Sequence, residues 1–214
     1  MSRQARSAAS PHNSWLYSSL ARFYDPVFRS FFERRHRLAL RAIALPPDAR
    51  ILDVGIGTGV SLTCYPERSY VVGIDVSWSM LTQARQKVRA IGSHRISLSL
   101  MDACRLALAS GSFDLVLSAF VASVVPDRQA YFAELKRVCR PGGTICIINH
   151  VHFRRQPFAW LEERLEPITR RMGWHGDLIL EDICASLSPG DISVHNLWPN
   201  DPWPVVICRT PGKS

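Results

Sequence analysis

Short apolar runs alternate with segments of helical spacing over most of the chain. The runs that we predict to be strands are Arg50–Val54, Tyr70–Ile74, Ile96–Met101, Phe113–Ser118 and Thr144–Asn149. Uninterrupted apolar runs of this length are typical of strands buried on both faces of a parallel sheet. Helices are predicted after the glycine-rich stretch at 55–59, after Ser77 and over Pro126–Arg140. The alternation predicts an α/β fold with a mostly parallel sheet and helices on both of its faces.

The pattern changes towards the end of the chain. Residues 151–176 mix arginines with aromatic residues and leucine, which predicts an inserted amphipathic segment over the carboxyl ends of the strands. Ile192–Leu197 and Val205–Arg209 predict a final strand pair, joined by a proline-rich loop. We find no internal repeats and expect one domain over 46–214.

Two amphipathic helices are predicted over 1–45, ahead of this domain. In the first, over 12–24, Trp15 and Tyr17 beside Arg22 suit a membrane interface. The second, over 27–44, has aromatic and aliphatic residues on one side and Arg34, Arg37 and Arg41 on another. Packing on the sheet of its own domain is favoured for this second helix, and an interfacial position is the alternative.

Charge is distributed unevenly along the 214 residues. The net charge is +8, and residues 1–44 contain eight arginines against two acidic residues. Such a local excess indicates an anionic partner, either a membrane surface or a nucleic acid, although a solvated arginine-rich helix would look the same. The longest apolar stretch, Leu115–Val125, is too short to cross a bilayer, so we expect any membrane contact to be peripheral.

Six cysteines stand at positions without C-x-x-C spacing, and no signal peptide is evident at the N-terminus. Small core thiols in a reducing compartment explain them better than disulfides or a metal site, and we expect no bound metal.

A glycine-rich loop carries the strongest chemical signal. Asp53 is followed by Gly55, Gly57 and Gly59, and Asp75 ends the next apolar run. Glycine lets backbone amides approach a ligand closely, and an acid at the second strand end accepts hydrogen bonds from ribose hydroxyls in nucleotide-binding folds. A dinucleotide fingerprint needs a small residue where Val60 stands, so a dinucleotide is disfavoured.

Ligands of open α/β sheets bind at the carboxyl ends of the strands. The further candidates there are Val76, Met80, Asp102, Ala103, Ser118, Asn149 and His150. Met80 has core packing as its alternative role, Asp102 a turn-forming role, and His150 a structural role in its loop.

The motif order resembles that of class I S-adenosylmethionine-dependent methyltransferases. It comprises Leu52–Gly59, Asp75, Asp102–Ala103, Ser112–Asp114 and Leu135–Gly143. The resemblance implies a Rossmann-like, seven-stranded sheet with an antiparallel last strand, and S-adenosylmethionine (SAM) as cofactor. It implies that Asp75 holds the ribose, that Val76 and Met80 flank the adenine, that Asp102 accepts from the adenine amine, and that Asp53 fixes the loop.

Five stretches resemble the bacterial phosphatidylethanolamine N-methyltransferases. They are Phe23–Phe28, Gly55–Leu62, Val121–Asp127, Ile148–His150 and Asn196–Trp198. This resemblance implies stepwise methylation of a phospholipid amine to phosphatidylcholine, by an enzyme attached peripherally to the inner face of the cytoplasmic membrane. After the fourth strand, Ser118–Val121 lacks the Asn/Asp-Pro-Pro-aromatic motif of nucleobase and amide methylators, so no nucleic-acid substrate is expected.

On the substrate side we expect His150 as proton acceptor or relay, with Asn149 beside it, and Tyr24 as an aromatic partner of the ammonium group. Arg154 or Arg155 would pair with the lipid phosphate. A monomer is favoured. A C-methyltransferase of a membrane quinone precursor and a non-catalytic SAM-binding protein at the membrane remain the competing functions.

Overall fold

The computed structural model describes residues 30–151, 178–199 and 201–212. Its first element, helix α1, covers 30–42. The other elements follow in chain order: strand β1 (Arg50–Val54), a 3₁₀ turn (Val60–Cys64), β2 (Tyr70–Asp75), α2 (Trp78–Ile91), β3 (Ile96–Leu100), β4 (Phe113–Ala119), α3 (Arg128–Val138), β5 (Cys139–Ile148), α4 (Leu180–Leu187), β6 (Asp191–His195) and β7 (Val205–Arg209).

These strands form one seven-stranded sheet in the order β3-β2-β1-β4-β5-β7-β6. Strands β1 to β5 pair in parallel, and β7 pairs antiparallel with both β5 and β6. The predicted mostly parallel sheet with an antiparallel last strand is therefore confirmed. The carboxyl ends of β1 to β5 lie together along one edge, called the carboxyl edge below.

Both faces of the sheet are covered, as the unbroken apolar runs predict. Along β1, Leu52 and Val54 pack on the side of α3 and α4, whereas Ile51 packs on the side of α1. A smaller cluster of Ile56, Leu62 and Leu81 joins α2 to the loop after β1. The hydrophobic core thus covers both faces of the sheet, and the carboxyl edge is the position that remains for a binding site.

Three elements differ most from the sequence prediction. A 3₁₀ turn of five residues, rather than a full helix, follows the glycine loop. Strand β5 begins at Cys139, which pairs with Phe113, so the chain is already extended where the sequence predicts helix and turn. Helix α4 was not predicted, because its eight residues show little beyond an apolar stripe.

Helix α1 packs against its own domain, as favoured for 27–44. Ala39 and Ile43 are buried in the cluster below the sheet, while Arg34, Arg37 and Arg41 are exposed. The predicted helix over 12–24 and nearly all of the predicted segment over 151–176 lie outside the described residues.

Candidate functional site

The glycine loop turns the chain from β1 towards α2 with left-handed backbone at three positions. Gly55, Gly57 and Gly59 have φ values of 74°, 55° and 76°, which favour glycine over any other residue. A Cβ on Gly55 would collide with Val121, and one on Gly59 would lie 2.7 Å from Leu62 Cδ1. A Cβ on Gly57 would meet only Gly55 O, at 4.0 Å. The middle glycine therefore borders open space, where a ligand can reach the backbone.

Asp75 holds this loop at the end of β2. Its Oδ2 accepts a hydrogen bond from Gly57 N at 2.9 Å, and its Oδ1 accepts one from Ser77 N at 2.8 Å. Burial raises the pKa of the Asp75 carboxyl, and the two backbone donors oppose that effect. Each oxygen retains a second lone pair, so the carboxylate can still accept from a ligand hydroxyl.

Val76 and Met80 stand beside Asp75. Val76 is 77% exposed, and Met80 is partly buried in the first turn of α2, where its N–H donates to the Ser77 side chain at 3.4 Å. Val76 and Met80 therefore flank the Ser77 cap in the chain, next to the end of β2. An apolar ring could bind there.

Asp53 lies behind the loop and is 2% exposed. Its Oδ2 accepts hydrogen bonds from Ser61 Oγ at 2.5 Å and Tyr65 Oη at 2.7 Å, so it ties β1 to the 3₁₀ turn. Burial raises the pKa of Asp53, and the nearby His36 imidazole partly opposes that effect. The same burial and the adjacent carboxyl raise the pKa of Tyr65. Asp53 is thus an internal brace of the loop.

Asp102 is exposed after β3 and forms a turn with its own backbone. Its Oδ1 accepts from Cys104 N at 2.8 Å, and its carbonyl accepts from Arg105 N at 3.0 Å. The preceding Met101 N–H donates to Asp75 O at 3.0 Å. That bond brings Asp102 and the half-buried Ala103 next to the end of β2. The turn-forming role is therefore present.

Ser118 is fully buried. Its Oγ donates to Val54 O at 3.2 Å and accepts from Tyr131 Oη at 2.8 Å. The sequence prediction put Ser118 in contact with the cofactor, but the structure places it beneath the loop, bonded inside the core.

Asn149 and His150 follow β5 at the carboxyl edge. Asn149 is buried, its Nδ2 donates to His150 O at 2.9 Å, and its Oδ1 is the one buried side-chain polar atom without a partner in the part of the chain that the structure describes. His150 is half-buried, and its ring meets the Trp203 ring edge-to-face with centroids 5.4 Å apart.

An aromatic wall closes the same end of the sheet. It consists of Phe31, Phe32, Phe120 and Trp203. Phe120 meets Phe32 edge-on at 4.7 Å, and Phe31 meets Trp203 edge-on at 5.1 Å. Phe120 has φ of 63°, an uncommon conformation for a bulky residue, and its N–H donates to Ile148 O at 2.7 Å. The wall stands beside His150 and joins α1 to the ends of β4 and β5.

Arg35 and Asp201 form a buried ion pair behind the wall, with side chains 1% exposed. Arg35 Nη2 donates to Asp201 Oδ1 at 2.7 Å, and Arg35 Nε donates to Trp203 O at 3.2 Å. Burial lowers the pKa of Arg35, and Asp201 opposes that effect. This pair was not predicted from the sequence, although Phe31 and Ala39 lie four residues before and after Arg35 and place it on the apolar stripe of α1.

The remaining predicted site residues, Tyr24, Arg154 and Arg155, lie outside the described residues. Within 30–151, 178–199 and 201–212, no helix is long and apolar enough to cross a membrane. The same ranges hold no cluster of three or more potential metal ligands. All six cysteines fall inside them and are free thiols.

Comparison with known proteins identifies the fold. A family model described as a methyltransferase domain matches residues 52–147. A phosphatidylethanolamine N-methyltransferase of Cereibacter sphaeroides is 41% identical over 137 residues, covering 64% of this chain and 68% of that protein. A demethylmenaquinone methyltransferase of a Parafrankia strain is 34% identical over 152 residues, covering 62% of this chain and 60% of that protein.

Among solved structures, a Haemonchus contortus phosphoethanolamine N-methyltransferase in complex with SAM superposes with a TM-score of 0.70. It is 18% identical, and the match covers 83% of this chain and 52% of that one. At this identity the likeness bears on the fold alone.

Proposed function

Because this chain belongs to the S-adenosylmethionine-dependent methyltransferases, we propose that it methylates the headgroup amine of phosphatidylethanolamine. The reaction proceeds stepwise through the mono- and dimethyl forms to phosphatidylcholine, with S-adenosyl-L-homocysteine as the second product. The observation that carries the proposal is the 41% identity to the Cereibacter sphaeroides enzyme, which extends over 137 residues.

The described residues of the carboxyl edge fit the cofactor. Asp75 keeps acceptor capacity for the ribose diol, and the exposed Val76 and the nearby Met80 offer apolar contact to the adenine. Asp102 would accept a hydrogen bond from the adenine amine, and Ala103 would lie beside the adenine ring. Gly55, Gly57 and Gly59 give the amino-acid end access to the backbone, and Asp53 braces them from behind.

The cofactor supplies a methyl group on a sulfonium, already a strong electrophile. The protein therefore has to orient the amine, exclude water and remove a proton. A headgroup amine resembles lysine, with a pKa of about 10, so it arrives protonated at neutral pH. His150 accepts or relays that proton, and Asn149 and Tyr24 help to orient the amine. We favour His150 for this role because it follows β5 at the carboxyl edge.

The aromatic wall suits the product of each step. Methylation replaces N–H donors with methyl groups, so hydrogen bonds become less useful and ring faces more useful for holding the cation. Phe31, Phe120 and Trp203 lie together next to His150. A cation over such a ring gains about 0.5–2 kcal/mol, depending on its desolvation. The lipid phosphate pairs with Arg154 or Arg155.

The substrate is delivered from an anionic membrane surface. Residues 1–44 contain eight arginines and two acidic residues, and the arginines other than the buried Arg35 supply the attraction to that surface. The enzyme therefore acts in the cytoplasm, attached peripherally to the inner face of the cytoplasmic membrane. It acts as a monomer and has no nucleic-acid partner.

A second candidate is C-methylation of a quinone precursor, favoured by the 34% identity to a demethylmenaquinone methyltransferase. That reaction needs no aromatic surroundings for an ammonium group. A third candidate is a membrane-associated protein that binds SAM without transferring its methyl group.

Transfer of labelled methyl groups separates the three. The full chain is incubated with methyl-labelled SAM and vesicles that contain either phosphatidylethanolamine or a demethylated quinone, and the lipids are resolved by mass spectrometry. Label in mono-, di- and trimethylated headgroups supports the proposal. Label in the quinone alone overturns it in favour of the second candidate, and SAM binding without labelled lipid points to the third.

A further inference from the structure

The loop before β7 is closed by Asp201. Asp201 Oδ1 accepts from Trp203 N at 3.0 Å, and Oδ2 accepts from Leu197 N at 3.1 Å, so one carboxylate holds both sides of the loop. The same Oδ1 takes Arg35 Nη2 at 2.7 Å. Arg35, in helix α1, is hydrogen-bonded to this network through both Asp201 and the Trp203 carbonyl. Its guanidinium therefore sets how the loop sits against the helix.

Aromatic rings surround that guanidinium. Arg35 Cζ lies 3.8 Å from the Phe31 ring centroid, 5.1 Å from that of Trp198 and 5.4 Å from that of Trp203. A planar guanidinium can stack on rings and donate in its own plane at once, which an ammonium cannot. Lysine at this position would keep the charge but not both bonds. The network is therefore specific for arginine geometry.

Trp203 connects the Arg35–Asp201 pair to the candidate site. Arg35 Nε holds its carbonyl, Asp201 holds its N–H, and its ring contacts Phe31 on one side and His150 on the other. The neighbouring Pro202 carbonyl accepts from Val151 N at 2.9 Å. The loop thus contacts the chain around His150 in two ways: the Trp203 ring packs on the His150 ring, and the Pro202 carbonyl binds Val151 N.

We propose that Arg35 is a positioning residue: its ion pair with Asp201 fixes Trp203, and Trp203 holds the His150 imidazole in place at the carboxyl edge. The pair is too deeply buried to touch a substrate, so its effect on the reaction passes through His150. This inference rests on the proposed function, in which His150 handles the amine proton.

The test uses Arg35→Lys in the full chain, with Arg137→Lys as matched control. Arg137 is also a networked arginine, donating to Glu134 and to the carbonyls of Leu106 and Leu108, and none of these partners in the described part of the chain belongs to the Trp203 loop. Arg35→Lys is expected to lower kcat by about ten- to a hundredfold, as small misplacements do, and to leave SAM affinity within about twofold. Arg137→Lys is expected to keep kcat.

Two readouts separate positioning from a loss of stability. On a His150→Ala background, Arg35→Lys should lower kcat no further, because the residue it positions is gone. Multiplicative losses in the double variant would overturn the proposal, as would wild-type kcat in Arg35→Lys. Asp201→Asn, which keeps the size of the side chain, is the second variant. It should lower kcat as Arg35→Lys does, and it takes the place of Arg35→Lys if that variant folds poorly.

An NMR measurement needs no substrate. The imidazole signal of His150, assigned by its loss in His150→Ala, should shift in Arg35→Lys because the Trp203 ring moves relative to it. An unchanged signal overturns the positioning role even if the enzyme is active. Failure of wild-type methyl transfer to phosphatidylethanolamine would instead overturn the proposed function, so the two failures are distinguishable.

Discussion

Asp53 and Asp75 end neighbouring strands, yet they differ in what surrounds them. Both Asp53 donors are side-chain hydroxyls, from Ser61 and Tyr65, in a fully enclosed position. Asp75 accepts two backbone N–H groups at the edge and remains partly accessible. The first carboxyl can therefore brace the loop, and the second can also reach a ligand.

Asp75→Ala should weaken SAM binding by about 1.5–3 kcal/mol, roughly ten- to 150-fold, because hydrogen bonds to a charged acceptor are lost. Calorimetry on folded protein measures the change. Asp191→Ala, at an exposed acid on the far edge strand, is the control and should bind like wild type. Unchanged affinity in Asp75→Ala would remove this residue from the cofactor site.

Asp53→Asn should flatten the pH dependence of stability. Burial raises the pKa of Asp53 in the folded state, so between the unfolded value of about 4 and that raised value the folded protein binds more protons than the unfolded chain. The free energy of unfolding therefore falls as pH rises through this window. Urea denaturation at several pH values should show a smaller fall in the variant, and an equal slope would contradict the raised pKa.

Elements were predictable to the extent that local pattern decides them. The five parallel strands follow from unbroken apolar runs, and Ser77 caps α2 as its position suggests. The 3₁₀ turn after the glycine loop was not predictable, because hydroxyls of Ser61 and Tyr65 turn back to Asp53 and hold a shorter element. The start of β5 at Cys139 depends on its pairing with Phe113, a partner distant in sequence.

Helix α1 shows the same limit at the site. Residues 33–37 read Glu-Arg-Arg-His-Arg, which favours a solvated face, yet Arg35 and His36 are buried. Their burial depends on Asp201 and on the Asp53 region, neither of which lies near them in the sequence. A run of charged residues in the sequence therefore does not reveal that one of them forms an internal ion pair.

The segment before α1 should anchor the enzyme to the membrane. Deletion of residues 1–23 removes Trp15, Tyr17 and three arginines while leaving α1 in place. Binding to anionic vesicles should be abolished, since each basic residue at such a surface contributes about 1 kcal/mol, and SAM binding should persist. Co-sedimentation with the vesicles measures the binding of the full and the truncated chain. Added salt should weaken the binding of the full chain. Equal sedimentation of the truncated chain would assign the anchor to another segment.

At the scale of the whole molecule, the strands of one sheet and the loops after them carry most of the described parts of the site. The glycine loop, Asp75 and Asp102 lie at the ends of β1 to β3, and His150 and Trp203 lie near the ends of β5 and β7. A cofactor bound at this edge contacts several strands at once. Its binding energy should therefore add to the stability of the entire domain.

S-adenosyl-L-homocysteine at a hundred times its Kd should raise Tm. Ligand linkage at this concentration contributes about 2.7 kcal/mol, and a domain of this size gains about 2–4 °C per kcal/mol, so the expected shift is roughly 5–10 °C. Differential scanning calorimetry measures it. Asp75→Ala at the same concentration should show a smaller shift, and no shift in wild type would mean that the product does not bind the folded chain.

The Arg35–Asp201 pair also has a consequence for biosynthesis. The two residues are 166 positions apart. When α1 leaves the ribosome, Asp201, the partner of Arg35, has therefore not yet been synthesised. Contacts of such separation form late, after the intervening chain has closed. We expect α1 to dock last, which leaves the arginine-rich N-terminal region free to meet a membrane while the rest of the protein is still being made.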